Sequence, residues 1–183
     1  MSRRKHARVG LAALAALGAA AIAVPAFAAN PPARVTQPIV GGVRFVPNRS
    51  LSETVHFKKD RINIQKGGTI TLVDRSHTDH SFSLVRQKQV PTNARQSENC
   101  FGKGPCDEIA VAHGAINPVT GEEQEPTTPR VDVGKAGFNQ PGDSVLIRPG
   151  GRVKVKVTTG HALYYICAIH PWMNGAINGQ PVR

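Results

Sequence analysis

Three side chains that bind soft metal ions recur at equal spacing near the end of the chain. In the segment YYICAIHPWMNG (164–175), a thiol, an imidazole and a thioether follow one another at three-residue steps, at Cys167, His170 and Met173. Sulfur and imidazole ligands together favour copper, and two histidines, one cysteine and a weakly bound methionine form a known copper arrangement. Pro171 fixes its own backbone φ and biases His170 toward an extended conformation, which stiffens the loop. The segment therefore predicts three of the four ligands of a copper site.

The fourth ligand of such a site must be a histidine from elsewhere in the chain. The segment TLVDRSHTDHSFSLV (71–85) reads as a strand, a polar turn and a second strand that starts at His80. We favour His80 over His77, because the turn places His77 further out. His56 lies within a strand pattern and His161 precedes a buried strand, so both are interpreted as ordinary histidines.

Short strands with alternating apolar and polar residues must carry these ligands. In RVKVKVTT (152–159) the three valines are expected to face inward, between basic residues that face solvent. Regularly spaced short strands with little helical periodicity predict an all-β sandwich or barrel. The predicted strands are ETVHFK (53–58), RINIQ (61–65), TITLVD (69–74), HSFSLV (80–85), DSVLI (143–147), RVKVKVTT (152–159), ALYYICAI (162–169) and GAINGQPV (175–182).

Residues 86–142 interrupt this pattern with a long segment rich in acidic residues, proline and glycine. A loop of that length is usually functional or disordered, and we treat it as an insertion in the β domain. A short helical turn is expected at 107–112. The histidine that follows it, His113, is interpreted as structural, and a role in covering the metal is the alternative.

The chain has three cysteines, an odd number that leaves one without a partner. Cys100 and Cys106 flank FGKGP, whose glycines and proline suit a tight loop, and they form a natural disulfide pair in an oxidising compartment. By the loop-entropy estimate so short a ring contributes only about 2 kcal/mol, so it would pin a loop and not the fold. Cys167 stays unpaired and must be buried, bound to something, or used.

Residues 1–28 read as a cleaved secretory signal peptide. Four basic residues precede the alanine-rich apolar run 11–24, and AFA (26–28) offers a cleavage site. We expect a secreted or periplasmic protein, a flexible leader at 29–38 and one domain at 39–183. No other stretch is long and apolar enough to predict a membrane span.

The charge of the chain predicts no polyanion partner. It carries 23 basic and 12 acidic residues, a formal net charge of +11, and the signal peptide takes four of the basic ones. The remaining basic residues are spread along the chain, without the clustered arm or aromatic-interleaved surface of a nucleic-acid-binding protein. We therefore expect a slightly cationic surface and no nucleic-acid binding.

The copper-loop motif resembles that of the cupredoxins, the family of plastocyanin-, azurin- and amicyanin-like blue copper proteins. YYICAIHPWMNG is similar to their C-terminal loop, and HSFSLV after a polar turn is similar to their first histidine strand. The resemblance spans most of 39–85 and 141–183, including NIQKGGTITLVD and PGDSVLIRPGGRVKVKV. It implies a Greek-key β-sandwich that binds one copper ion. The ligands it implies are His80, Cys167, His170 and axial Met173.

The resemblance also implies how the site meets its partner. His170 would reach the surface as the port for electrons. Apart from the resemblance, the position of Trp172 next to His170 indicates an apolar docking patch with Pro171 and Met173 for a redox partner protein, with simple packing of Trp172 as the alternative. One departure concerns Ser81, which stands where many members carry an asparagine that links the two ligand loops. A serine is a shorter hydrogen-bonding group, so the link is expected to be weaker.

A site with four protein ligands leaves no open position for a substrate, so we expect a monomeric electron carrier and not an enzyme. A multicopper oxidase would flank the cysteine with histidines, whereas Ile166 and Ala168 stand there. A binuclear copper site would need a second cysteine on the loop. A protein that stores or delivers copper uses the same ligand types and is the main alternative. A structural sandwich with an unmetallated cysteine ranks third.

Overall fold

The computed structural model describes residues 30–180. The signal peptide predicted at 1–28 lies outside the described residues. Within them no helix is long and apolar enough to cross a membrane.

Short strands form most of the regular structure in the described part of the chain. Two short helices, α1 and α2, lie between the seventh and eighth strands. The helices are α1 (Ala94–Glu98) and α2 (Pro105–Ala112). The strands are β1 (Arg34–Val40), β2 (Val43–Val46), β3 (Ser50–Glu53), β4 (His56–Phe57), β5 (Arg61–Gln65), β6 (Thr69–Asp74), β7 (His80–Val85), β8 (Arg130–Val131), β9 (Ser144–Ile147), β10 (Arg152–Lys156), β11 (Ala162–Ile166) and β12 (Asn174–Gln180).

The strands form two main sheets and a hairpin. One sheet has the order β10-β6-β1-β4, the other β5-β12-β11-β7-β9-β8, and β2 pairs with β3. Two neighbouring pairs, β1 with β6 and β5 with β12, are parallel, and the others are antiparallel. A single cluster of buried apolar side chains joins both sheets, as in a sandwich. The predicted all-β sandwich is confirmed.

Aromatic rings fill the centre of this sandwich. The ring centroids of Tyr165 on β11 and Phe82 on β7 are 4.4 Å apart, and the ring of Phe57 on β4 packs edge-on against both. Phe138 stacks on Phe82 at a centroid distance of 5.9 Å and is fully buried. Because Phe138 belongs to 86–142, the end of that segment is part of the main core and not a surface excursion.

The flexible leader predicted at 29–38 is wrong for residues 34–38, which belong to β1. This strand runs parallel to β6, and its side chains alternate inward, with Gln37 and Ile39 both fully buried. The Gln37 amide donates to the Tyr165 hydroxyl at 3.1 Å and to the Lys59 carbonyl at 2.5 Å, and its oxygen accepts from the Lys59 amide. Because Gln37 is polar, the alternation of inward apolar and outward polar residues is not visible in the sequence of β1. The hydrogen-bond partners that allow this side chain to be buried are brought to it only by the tertiary structure.

Several other predicted boundaries also change in the structure. The predicted strand 53–58 is two elements, because the chain leaves the β2–β3 hairpin after Glu53 and resumes pairing at β4. The strands predicted at 61–65, 69–74 and 80–85 coincide with β5, β6 and β7. The predicted helical turn at 107–112 lies within α2, and α1 was not predicted.

Candidate metal centre

Two neighbouring strands bring the predicted ligands together. β11 pairs antiparallel with both β7 and β12, and the loop 167–173 connects β11 to β12. The Cys167 amide donates to the Met173 carbonyl, and the Met173 amide donates to the His170 carbonyl, both at 2.8 Å. These bonds close the loop on itself. His80, the first residue of β7, lies beside it.

Three of the predicted ligands converge on one point. The Cys167 Sγ lies 3.8 Å from the Nδ1 of His80 and 3.7 Å from the Nδ1 of His170. The three donor atoms all lie within 4.8 Å of one another, and the three residues are buried. Met173 is 1% exposed and belongs to the same apolar cluster as Cys167. One sulfur and two imidazole nitrogens at these distances could hold a single copper ion.

Hydrogen bonds to a buried carboxylate set the orientation and tautomer of His80. The Ser76 hydroxyl donates to the Asp74 carboxylate at 2.6 Å, and the same hydroxyl lies 2.6 Å from the Nε2 of His80. Because the hydroxyl hydrogen is already used, Nε2–H must donate to Ser76, which leaves a lone pair at Nδ1. Nδ1 is the nitrogen that faces Cys167, as a metal ligand requires.

The charge of Asp74 is itself compensated by the surrounding turn. Burial would raise the pKa of this carboxyl, but hydrogen bonds from the Ser76 hydroxyl and from the Gly150 and Ser76 amides outweigh burial and lower the pKa. The His77 amide also donates to this carboxylate, at 3.1 Å. A buried carboxylate held ionised in this way stabilises the orientation of the His80 ring through Ser76. Asp74 and Ser76 carry no signal in the sequence, because their roles depend on the turn that brings them to His80.

Ser81 ties the cysteine to the neighbouring strand. Its amide donates to the Cys167 Sγ at 3.3 Å, and its hydroxyl oxygen accepts from the Ala168 amide at 2.8 Å. The predicted link between the two ligand loops is therefore present despite the shorter side chain. Burial raises the pKa of the Cys167 thiol. A bound cation would stabilise a thiolate at this position, which fits a metal ligand.

His170 lies deeper than the resemblance implies. The residue is 6% exposed and its side chain 8%, so only a small part of it reaches the surface, less than the resemblance leads us to expect. Its Nε2 lies 3.7 Å from the Glu53 carboxylate, and the Trp172 ring packs edge-on at a centroid distance of 5.2 Å. Burial lowers the pKa of His170, with the Glu53 charge acting in the opposite sense. Glu53 and Trp172 together cover the imidazole.

An open groove begins at Trp172. This side chain is 47% exposed, and its indole N–H donates to the Val55 carbonyl at 3.1 Å. Pro171 and Trp172 form one wall of a groove of about 790 Å³. The other lining residues, from the segment after β7, include Val90, Pro91, Ala94 and Phe101. The predicted docking pair therefore lies at the edge of a larger, mostly apolar concavity.

Within residues 30–180 the remaining histidines lie apart from the three ligand atoms. His77 is exposed and has a positive φ of 62°, and His56 and His161 are also exposed. His113 is 1% exposed, and its ring bonds to the Thr128 carbonyl and to Ser144. The structure thus places His80, and not His77, next to Cys167.

The two cysteines of the 86–142 segment lie together. Their sulfurs are 2.04 Å apart, and their Cα atoms 5.1 Å apart. Cys106 is in the first turn of α2. Cys167 is buried and takes no part in this pair.

The solved structures that are similar to this chain include several cupredoxins. A proline-to-glycine variant of amicyanin in its reduced Cu(I) form at pH 4 is 10% identical, with 80% of this chain and 82% of that chain covered and a TM-score of 0.39. A purple cupredoxin from Nitrosopumilus maritimus is 12% identical, with 79% and 97% covered and a TM-score of 0.41. Reduced auracyanin from Roseiflexus castenholzii is 12% identical, with 81% and 98% covered and a TM-score of 0.41. No protein-family model matches the chain, and no curated protein does.

The burial of His80 predicts a pH-dependent stability for the metal-free protein. Burial, and secondarily the charge of His170, lower the pKa of His80 from 6.5 to about 4. Between these values the unfolded chain binds a proton that the folded chain does not, so the free energy of unfolding falls as the pH falls. At 1.36 kcal/mol per pH unit the loss from this group is at most about 3 kcal/mol, and it levels off below the folded pKa.

Denaturant titration of the metal-free protein across this pH range measures the effect. His80→Gln should weaken the pH dependence, and the part that remains belongs to His113 and His170, whose pKa values are also lowered by burial. His77→Gln, the same change at an exposed position, should leave the pH dependence intact. A free energy of unfolding that stays constant from neutral pH to the folded pKa of His80 would contradict the prediction.

Proposed function

We propose that this chain is an exported type 1 (blue) copper protein that transfers single electrons. The observation that carries the proposal is the convergence of one Sγ and two Nδ1 atoms within 4.8 Å of one another, on buried residues. His80, Cys167 and His170 would be the strong ligands, and Met173 from the same loop the weak axial ligand. Copper bound there would supply a one-electron couple.

The surrounding residues suit electron transfer because they hold the ligands in place. Ser76 fixes the ring of His80, Ser81 fixes the position of the cysteine sulfur, and the loop 167–173 is closed by its own backbone bonds. Ligands held this firmly change little between oxidation states, which keeps the reorganisation energy low. Burial of the donors excludes water from the site. With four protein ligands no position remains for a substrate, which supports a carrier and not an enzyme.

The electron would leave through the covered edge of His170. Trp172 packs against this imidazole and is itself half exposed beside the apolar groove. A redox partner protein that docks on Trp172 and Pro171 would come within a few side chains of the metal. Aromatic residues at a partly exposed apolar surface are typical of protein interfaces.

The main alternative is a protein that stores or delivers copper. Such a protein passes Cu(I) to a partner by ligand exchange and therefore needs an exposed, adaptable site. The burial of Cys167 and His80 favours the carrier, since a partner's ligand cannot reach the metal without opening the loop.

Loss of colour tests the ligand set. The protein loaded with Cu(II) should absorb strongly in the visible region through thiolate-to-copper charge transfer, and Cys167→Ser should abolish this absorption while the β fold remains. His80→Ala should bleach the site or change it to an ordinary copper spectrum. His77→Ala is the matched control, three residues away and exposed, and it should retain the absorption. A colourless copper adduct of the unmutated protein would count against the proposal.

Electrochemistry and chelation separate the carrier from the delivery protein. The carrier should show a reversible one-electron couple with rapid self-exchange, and a Cu(I) chelator should remove the metal slowly. Trp172→Glu should slow electron exchange with a redox partner and keep the visible absorption. Val119→Glu places the same charge at an exposed apolar residue outside the groove and should have no effect on exchange. Rapid and complete loss of Cu(I) to a modest chelator would favour delivery.

The exported state predicts a disulfide between Cys100 and Cys106. The two residues flank the short glycine- and proline-containing loop 101–105, and an oxidising compartment would maintain the bond. Peptide mapping of the exported protein without reductant should yield one linked peptide that contains both residues. A linked peptide that contains Cys167 would refute this pairing.

A further inference from the structure

A buried line of polar side chains connects the 86–142 segment to the metal loop. It begins at His113, which caps the end of α2, and passes through one serine of β9 and two of β7. The His113 Nε2 lies 2.7 Å from the Ser144 hydroxyl oxygen, which lies 2.6 Å from that of Ser83. The Ser83 and Ser81 oxygens are 2.9 Å apart, and Ser81 accepts from the Ala168 amide at 2.8 Å.

Each side chain in this line depends on its neighbours. The four residues are between 0% and 1% exposed. A buried hydroxyl or imidazole that loses its partner pays the full cost of its desolvation, since no water can replace the bond. Removing one member therefore takes a hydrogen-bond partner from its neighbour and lets that neighbour shift, so the line responds as a unit.

The outer end of the line is anchored by the segment after α2. The His113 Nδ1 lies 2.5 Å from the Thr128 carbonyl, which can only accept, so Nδ1 carries a hydrogen. Burial lowers the pKa of His113, and its Nε2 lies within hydrogen-bond distance of the Ser144 hydroxyl. The amides of Thr127 and Thr128 both donate to the His113 carbonyl at 3.0 Å. Both the backbone and the ring of His113 are thus bound to residues 127–128.

The inner end of the line holds the cysteine. Ser81 receives the Ala168 amide on its hydroxyl oxygen and directs its own amide at the Cys167 sulfur. A shift of Ser81 would therefore change both the hydrogen bond to the sulfur and the path of the loop after it. Hydrogen bonds to a ligand sulfur tune the potential of a copper–thiolate site.

Apolar packing places α2 directly behind the same loop. A second buried cluster joins Cys106 and Ile109 of α2 to Ile166 and Ala168, on either side of Cys167. The polar line and this cluster reach the loop from the same segment. A segment that lay only on the surface would make neither the polar contact nor the apolar one.

We propose that His113 is a positioning residue for the metal centre, through which the 86–142 segment holds Ser81, the Ala168 amide and the Cys167 sulfur in place. The inference rests on the proposed copper function for its electrochemical consequence. Its structural part concerns the protein alone and can be tested without metal.

Amide hydrogen exchange in the metal-free protein tests the structural part. His113→Phe keeps a ring of similar size and removes both hydrogen-bonding nitrogens, and Ser144→Ala breaks the line one step further on. Both variants should accelerate exchange of the Ala168 amide by at least about tenfold, which corresponds to the loss of one buried hydrogen bond. His161→Phe makes the same change at an exposed histidine and should leave this amide unchanged.

Combining the two substitutions tests whether the residues act as a unit. The double variant His113→Phe/Ser144→Ala should exchange no faster at Ala168 than the faster single variant, because either change already breaks the line. Additive effects, or an unchanged Ala168 rate in folded single variants, would overturn the proposal. If His113→Phe does not fold, Ser144→Ala decides the question, since it removes only one oxygen.

The copper-loaded protein supplies a second readout. His113→Phe should shift the reduction potential and the visible band, and His113→Gln, whose amide can still form a hydrogen bond with Ser144, should return both toward the unmutated values. A potential and a spectrum that stay unchanged in His113→Phe would refute the influence on the metal. If the unmutated protein forms no coloured copper site, the proposed function fails, while the exchange comparison still decides whether His113 holds the loop.

Discussion

The contact between Ser81 and the loop after β11 is the constraint on which the centre depends. Through its amide and its hydroxyl, this one residue on β7 binds Cys167 and Ala168. The pairing of β7 with β11 brings the two segments side by side, but pairing alone does not decide where a side chain of the loop points. The two hydrogen bonds from Ser81 do, and His80 is adjacent to them in sequence.

The polar groups around this contact remain buried because each has a partner. Asp74 is compensated by amides and a hydroxyl of its turn, and it holds His80 through Ser76. Among the described residues no buried side-chain nitrogen or oxygen lacks a hydrogen bond. A site surrounded by satisfied groups is rigid, since any rearrangement would leave one of them unpaired in an apolar environment. Rigidity of this kind is what a low reorganisation energy requires.

The segment 86–142 contacts the core, the larger sheet and the loop that carries Cys167. Phe138 stacks in the aromatic core, β8 extends the larger sheet, and Ile109 packs behind the loop that carries Cys167. Its length and composition predicted a functional or disordered insertion, because it is rich in acidic residues, glycine and proline. A few buried side chains outweigh that composition, since burial of one large apolar residue contributes about 1.5–3 kcal/mol.

The sequence by itself determined the parts of this protein that depend on local pattern. Alternation located β5, β6 and β7, because side chains on a strand face opposite sides in turn. The donor types and their three-residue spacing identified Cys167 and His170, because one short loop can direct both at a common point. The start of a strand after a polar turn selected His80. None of these inferences required a partner distant in the chain.

Only the tertiary structure decided the features that depend on distant partners. Gln37 can be buried within a strand because its amide forms hydrogen bonds with Tyr165 and Lys59. The sequence does not show which distant residues will be the partners of a polar side chain. His170 is covered in part because the carboxylate of Glu53, on a hairpin more than a hundred residues earlier, lies 3.7 Å from its Nε2. His113 joins the metal loop through serines on two other strands, and a serine in a strand reads as an ordinary polar position. Hydrogen bonds between residues far apart in the chain leave no periodic signal, and so they emerge only when the chain is folded.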